Sequence, residues 1–220
     1  MIYGFSDSNF IAGEKPTGGQ LTLIGNKYSD KVSPILWKTK LIQKACKSPK
    51  DAETIALGVE ADLAIYTANQ VEQILTGKNG GSKYKVRLFC DNAPVIESIA
   101  SSKQVERRYM RSDINILKQF IEEQKIEYIS WIQDEEMIAD ILTKDKPDKI
   151  GLSDLMQQGQ LKVVRRQDNI VYHNGRDYKI EGRALREKLI KSKIIPSKRK
   201  TVKQAQEQLA EQVKKENEME

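Results

Sequence analysis

The chain has 220 residues, 31% of them charged and 39% hydrophobic, with a formal net charge of +6. That length suits one good domain plus an extension, and no apolar run approaches the roughly 18 residues of a membrane span. The N-terminus lacks the basic segment and apolar core of a signal peptide, and Asp7 with no early Arg argues against a transit peptide.

The two cysteines, Cys46 and Cys90, sit in no CxxC pair, and the only histidine is His173. A structural zinc site is not expected. Both thiols read as reduced, Cys90 as a core residue. The charge is uneven. Residues 1–144 hold 19 Lys+Arg against 19 Asp+Glu, whereas residues 145–220 hold 18 against 12 and so carry the whole +6. The neutral part reads as a folded domain and the basic part as a partner-binding extension suited to a polyanion.

In chain order, Ile2 to Phe5 alternates as a strand and stops at Ser6-Asp7-Ser8-Asn9. An Asp there is costly to bury unless paired or metal-bound; its plain reading is a turn residue. After the turn-rich 13–19, Gln20–Lys27 and Pro34–Lys38 read as two more strands, making an antiparallel meander. Ser48 and Pro49 form a helix start. From Asp51 to Leu75, Ala52, Ile55, Ala56, Val59, Leu63, Tyr66 and Val71 recur at helical spacing, with Glu53 beside that stripe. Tyr84–Cys90 reads as a strand parallel to the first, reached by a crossover. Asp91 then stands where this strand hands over to a short helix, the place where open α/β sheets build sites. A helix over Ser112–Gln124, a strand over Ile126–Ile132 and a helix over Asp134–Thr143 carrying Asp140 complete the domain.

This order, with its acids Asp7, Glu53, Asp91 and Asp140, resembles the RNase H domain of copia-type LTR retrotransposon Pol polyproteins. The segments that carry the resemblance are GFSDSNFIAG, KPTGGQLTLIG, ILWKTKLIQKACKSPKDAETIAL, CDNAPVIESIA and WIQDEEMIADILTK, running from residue 2 to about 147. It implies an α/β RNase H-like fold: a five-stranded mixed sheet, three antiparallel strands then two parallel ones, flanked by helices. It also implies hydrolysis of the RNA strand of an RNA–DNA hybrid by two-metal-ion chemistry, with Mg2+ or, in its place, Mn2+. The metal-binding and catalytic acids would be Asp7, Glu53, Asp91 and Asp140. Asp7 would bridge two ions, Glu53 and Asp91 would hold one, and Asp140 the other. Many RNases H place a mobile His before the last catalytic helix; Gln133–Glu136 holds none, which bears on turnover. Lys15, Thr17, Lys38, Asn92, Arg107, Arg108 and Arg111 are candidate hybrid contacts. Their plain reading is a solvated face, or for Asn92 a helix cap. Trp37 and Trp131 read as core residues rather than stacking platforms.

Past the RNase H-like domain of residues 1–147, residues 148–200 read as a basic extension. A small helix opens it, and 160–164 suit a strand. Asn169–His173, Asn174-Gly175 and Arg176–Ile180 make a tight hairpin. Arg183–Lys200 holds eight Lys+Arg and only Glu187 against them, a phosphate-binding run or a solvated basic face. Residues 201–220 read as a charged helix or a disordered tail. The first reading is a retroelement nuclease of the cytoplasm, in a virus-like particle or ribonucleoprotein, or of the nucleus. It would not be secreted or membrane-bound, and a reverse transcriptase or ribonucleoprotein subunits would meet the extension. The alternative is a domesticated, non-catalytic binding or structural subunit of a ribonucleoprotein. The start at the first strand suits either a processed fragment or a domain separated from its element.

Overall fold

The computed structural model describes residues 1–26, 28–77, 82–101, 108–144, 152–161, 170–173, 175 and 178–181. Three strands come first, β1 (Ile2–Asn9), β2 (Thr17–Gly25) and β3 (Val32–Leu41), followed by the long helix α1 (Pro49–Thr76). Then come β4 (Val86–Cys90), α2 (Ala93–Ala100), α3 (Arg108–Glu122) and β5 (Ile126–Trp131). Two 3-10 turns, Asp134–Glu136 and Ile138–Leu142, precede the short helix α4 (Leu152–Gln158) and the strands β6 (Ile170–His173) and β7 (Tyr178–Glu181). No described helix is long and apolar enough to cross a membrane.

The sheet order is β3-β2-β1-β4-β5-β6-β7. β1 pairs antiparallel with β2 and parallel with β4; β2 pairs antiparallel with β3, and β4 parallel with β5. These five strands are the RNase H-like mixed sheet the resemblance implies. The sheet has seven strands rather than five, because β6 pairs antiparallel with β5 and β7 with β6. The strands β6 and β7 are thus part of the same sheet. Buried Ile170 and Val171 cover what would otherwise be the open edge of β5.

Alternation along the strands divides two cores. Ile2, Leu88 and Cys90 face the α1, α2 and α3 side, with Leu57, Ala61, Ile96 and Leu117. Tyr3, Phe5 and Phe89 face the other side, with Leu21, Leu23, Met137 and Ile138. There the rings of Phe5 and Phe89 stack with centroids 4.4 Å apart.

Several expectations change. The buried face of α1 runs through Ala52, Glu53, Ala56, Leu57, Glu60, Ala61, Ala64 and Ala68, while Val59 and Tyr66 are exposed. Small alanines let the helix lie close to the sheet, so the larger apolar residues do not mark the inner face. Glu53 therefore lies within that face. The expected last helix is two 3-10 turns, separated at Met137, whose backbone is extended and whose side chain is buried. Trp131 is in the core, but Trp37 is 60% exposed on the edge strand β3. The readings for residues 162–169 and 182–220 lie outside the described residues.

Candidate active site

The parallel pairing of β1 with β4 sets two residues opposite each other at Phe5 and Phe89. Two positions further along each chain stand Asp7 and Asp91. Both acids thus come from the carboxyl end of a parallel strand. Asp91 is fixed by its neighbours: the Trp131 indole N–H donates to its carbonyl at 2.8 Å, and Asn92 caps α2, its Oδ1 accepting from Val95 N at 3.2 Å.

Glu53 enters from the first turns of α1. Ser48 caps that helix with Pro49 at its start. Asp51 accepts from Lys47 N at 2.9 Å and from the Tyr109 hydroxyl at 2.8 Å, tying the start of α1 to α3. Glu53 Oε1 accepts from the amide and hydroxyl of Ser8, at 3.1 and 2.8 Å. Its Oε2 is buried and has no hydrogen-bond partner among the described residues.

Asp140 sits on the second 3-10 turn, which lies against β2 at Gly19. A Cβ on Gly19 would come within 2.8 Å of Leu142 Cβ and Thr143 Cγ2. Gly19 pairs with Asp7 on one side and Thr39 on the other. The Thr39 hydroxyl donates to Leu142 O at 2.9 Å, so β3 also anchors the turn.

Asp7, Asp91 and Asp140 each offer one carboxylate oxygen, and these lie within 4.8 Å of one another. Glu53, Cys90 and Asp91 form a second such group. All four predicted acids therefore belong to one cluster, with Asp91 common to both sets. Sequence reasoning assigned no role to Thr143 or Lys144, and read Cys90 as a core residue, which it is. The Thr143 hydroxyl donates to Asp7, and the Lys144 ammonium pairs with Asp140 and lies 3.6 Å from Asp7 Oδ1. The spacing of Asp140 and Lys144, four residues apart, was the available signal.

Burial dominates the electrostatics. It pushes Asp7 up to about 6, with the Thr143 hydroxyl and Lys144 pulling back and Asp140 adding to the rise. Burial, then the charges of Asp7 and Asp134, push Asp91 up to about 7, against the pull of Lys144. Glu53 is raised well above its ordinary value by burial and by Asp7 and Asp91, with the Ser8 hydrogen bonds opposing. Burial works against the Lys144 charge, yet its bond to Asp140 and the nearby acids hold it above the ordinary lysine range. Such a cluster binds protons readily, and a divalent cation answers the same negative charge.

The predicted hybrid contacts fall on several elements. Lys15 is exposed before β2, with Nζ 3.4 Å from Gln43 Oε1. Thr17 opens β2, and Lys38 is exposed on β3 one residue before Thr39. Arg111 is half-buried on α3, which Arg108 opens; Arg107 lies outside the described residues. Asn92 spends its side-chain oxygen on the cap.

No family model and no curated protein sequence matches the chain. Among solved structures it is similar to RNase H1 from the halophilic archaeon Halobacterium salinarum NRC-1, with a TM-score of 0.46 and 14% identity over 64% of this chain and 92% of that one. It is similar to an N-terminal RNase H domain from Mycobacterium tuberculosis, with a TM-score of 0.43 and 13% identity over 72% of this chain and 94% of that one. LC11-RNase H1, solved in complex with an RNA/DNA hybrid, gives 0.43 and 14% over 68% of this chain and 98% of that one.

Proposed function

We propose that this chain is a divalent-metal-dependent endonuclease that hydrolyses the RNA strand of RNA–DNA hybrids in the reverse transcription of a retroelement. The observation that carries the reading is the convergence of Asp7, Asp91 and Asp140, with Glu53 joined through Asp91, from four separate elements. Acids gathered in this way raise one another's proton affinity and are a burden to the fold without a cation. The donor set fits Mg2+, with Mn2+ as a substitute, because hard cations take carboxylate oxygens. The orphaned Oε2 of Glu53 is a buried acceptor that such an ion would satisfy.

Asp7, Glu53, Asp91 and Asp140 would hold the metal. Bound divalent cations supply an activated water and neutralise charge on the scissile phosphate. The chain's own residues do the rest. Thr143 orients the Asp7 carboxylate, and Trp131 fixes the backbone of Asp91. Lys144 keeps a positive charge against Asp7 and Asp140, where phosphate oxygens would lie. Lys15, Thr17 and Lys38 on the β2–β3 side and Arg111 on α3 are the phosphate contacts on this reading. RNA would be told from DNA by its 2′-hydroxyls in a wide minor groove. The basic extension adds salt-sensitive affinity, and the work takes place in the cytoplasm or nucleus on a ribonucleoprotein.

One observation favours a second reading. The Lys144 ammonium already neutralises part of the cluster, as it would in a nucleic-acid-binding subunit that has given up catalysis. The test is a panel of labelled duplexes, RNA–DNA, RNA–RNA and DNA–DNA, incubated with the full chain and Mg2+. The nuclease reading expects cleavage of the RNA strand in the hybrid alone. Tight, salt-sensitive binding without cleavage would give the second reading its place.

A further inference from the structure

The acid cluster has a sulfur at its edge. Cys90 ends β4 on the α1 side of the sheet and is fully buried, directly before Asp91. One ligand atom each from Glu53, Cys90 and Asp91 lies within 4.8 Å of the other two. The second, independent feature is Glu53 itself. It is 6% exposed, and its Oε2 is buried without a hydrogen-bond partner among the described residues, while Oε1 is held by Ser8. The known contact to the sulfur is from Asn92 N–H at 3.4 Å, in which sulfur accepts.

The two triads differ in chemistry. Asp7, Asp91 and Asp140 offer only oxygen; Glu53, Cys90 and Asp91 offer two oxygens and one sulfur. We propose that Glu53, Cys90 and Asp91 form a second cation site, selective for thiophilic divalent ions such as Zn2+ or Cd2+. Thiolate sulfur favours such ions over Mg2+. Tetrahedral ligands of zinc stand roughly 3.5 Å apart, so side-chain movements of about 1 Å complete the site, with water as a fourth ligand. The thiol releases its proton to solvent as the sulfur–metal bond forms. Access is from the Asp91 side, which is only partly buried.

Asp91 belongs to both triads, so an ion held by Cys90 withdraws it from the all-oxygen set. Thiophilic ions should therefore inhibit. That consequence rests on the nuclease reading, whereas the binding does not.

The experiment uses the full chain with Cys46→Ser, which leaves Cys90 as the only thiol. Cd2+ is titrated while the thiolate-to-cadmium charge-transfer absorption is read in the ultraviolet, and Zn2+ binding is measured by equilibrium dialysis. The proposal expects the band to saturate at one equivalent. It also expects Zn2+ affinity to fall at least tenfold on adding Cys90→Ala or Glu53→Gln. Mg2+ affinity should change less than twofold with Cys90→Ala. Circular dichroism of the metal-free variants checks folding, with Cys90→Val as a replacement of similar volume. If none of these variants folds, the band in the Cys46→Ser chain decides alone. Absence of the band, or Zn2+ binding unchanged by Cys90→Ala, overturns the proposal. A band in a chain that fails to cleave the hybrid with Mg2+ alone, before any cadmium is added, would remove the nuclease reading and leave the metal site standing.

Discussion

At the scale of single residues, the chain takes several carboxyls largely out of water. Asp91 illustrates the consequence. Its folded value of about 7 lies above that of an unfolded Asp, about 3.9. The folded state therefore holds this proton more tightly, and stability is fully present at low pH and lost as pH rises from about 4 through 7. Asp91→Asn should stabilise the metal-free chain by on the order of 1–2 kcal/mol at pH 8 and by nothing measurable at pH 4. Saturating Mg2+ should reverse that order, stabilising the native chain and not the variant. Thermal melts at the two pH values, with and without Mg2+, check both signs. Glu60 gives a companion case away from the site. It lies on the same face of α1 and is fully buried, its Oε1 accepting from the Thr22 hydroxyl at 2.8 Å. Burial raises its proton affinity well above the ordinary value. Glu60→Gln should raise the Tm by a few degrees above about pH 5 and leave it unchanged near pH 4, where the native carboxyl and its unfolded counterpart are both protonated.

At the scale of elements, the site depends on how closely one 3-10 turn lies on β2. Gly19 makes this approach possible, since any Cβ there would collide with Leu142 and Thr143. Gly19→Ala should cost about 1–3 kcal/mol in stability through overpacking. It should also lower cleavage more than hybrid binding, because it displaces Asp140 and Thr143 and leaves the outlying lysines in place. Denaturant unfolding beside binding and rate measurements separates the two effects. This element also shows where sequence reading stopped. Asp7, Glu53, Asp91 and Asp140 were legible as a set through the family resemblance, whereas Asp7 taken alone reads as a turn residue. Lys144 and Thr143 were not legible. A helix over Asp134–Thr143 points its residues differently from the two turns that form, which are separated by the extended backbone of Met137. The alanine-rich inner face of α1 was missed as well, since periodicity weighs large side chains and close packing favours small ones.

At the scale of the whole molecule, the strand order places both parallel strand ends, the start of α1 and the second 3-10 turn at one end of the sheet. The three-strand meander and the parallel crossover were legible from segment order, and the five-stranded mixed sheet through the family resemblance. That the hairpin joins β5 was not, because pairing between distant strands leaves no local trace; the Asn-Gly turn announces a hairpin and not its neighbour. Trp37 was misplaced on the same account, as its exposure follows from β3 lying at the edge of the sheet.

The most direct test is the rate of RNA-strand cleavage in a labelled RNA–DNA hybrid as Mg2+ is titrated, for the native chain beside Asp7→Asn. Asp7 lies beside Asp91 and Asp140, accepts from the Thr143 hydroxyl and faces Lys144. Cleavage that needs Mg2+ and falls at least a hundredfold in the variant, with hybrid binding retained, is the expected result. Cleavage that is independent of Mg2+, or equal in the two proteins, would contradict the account.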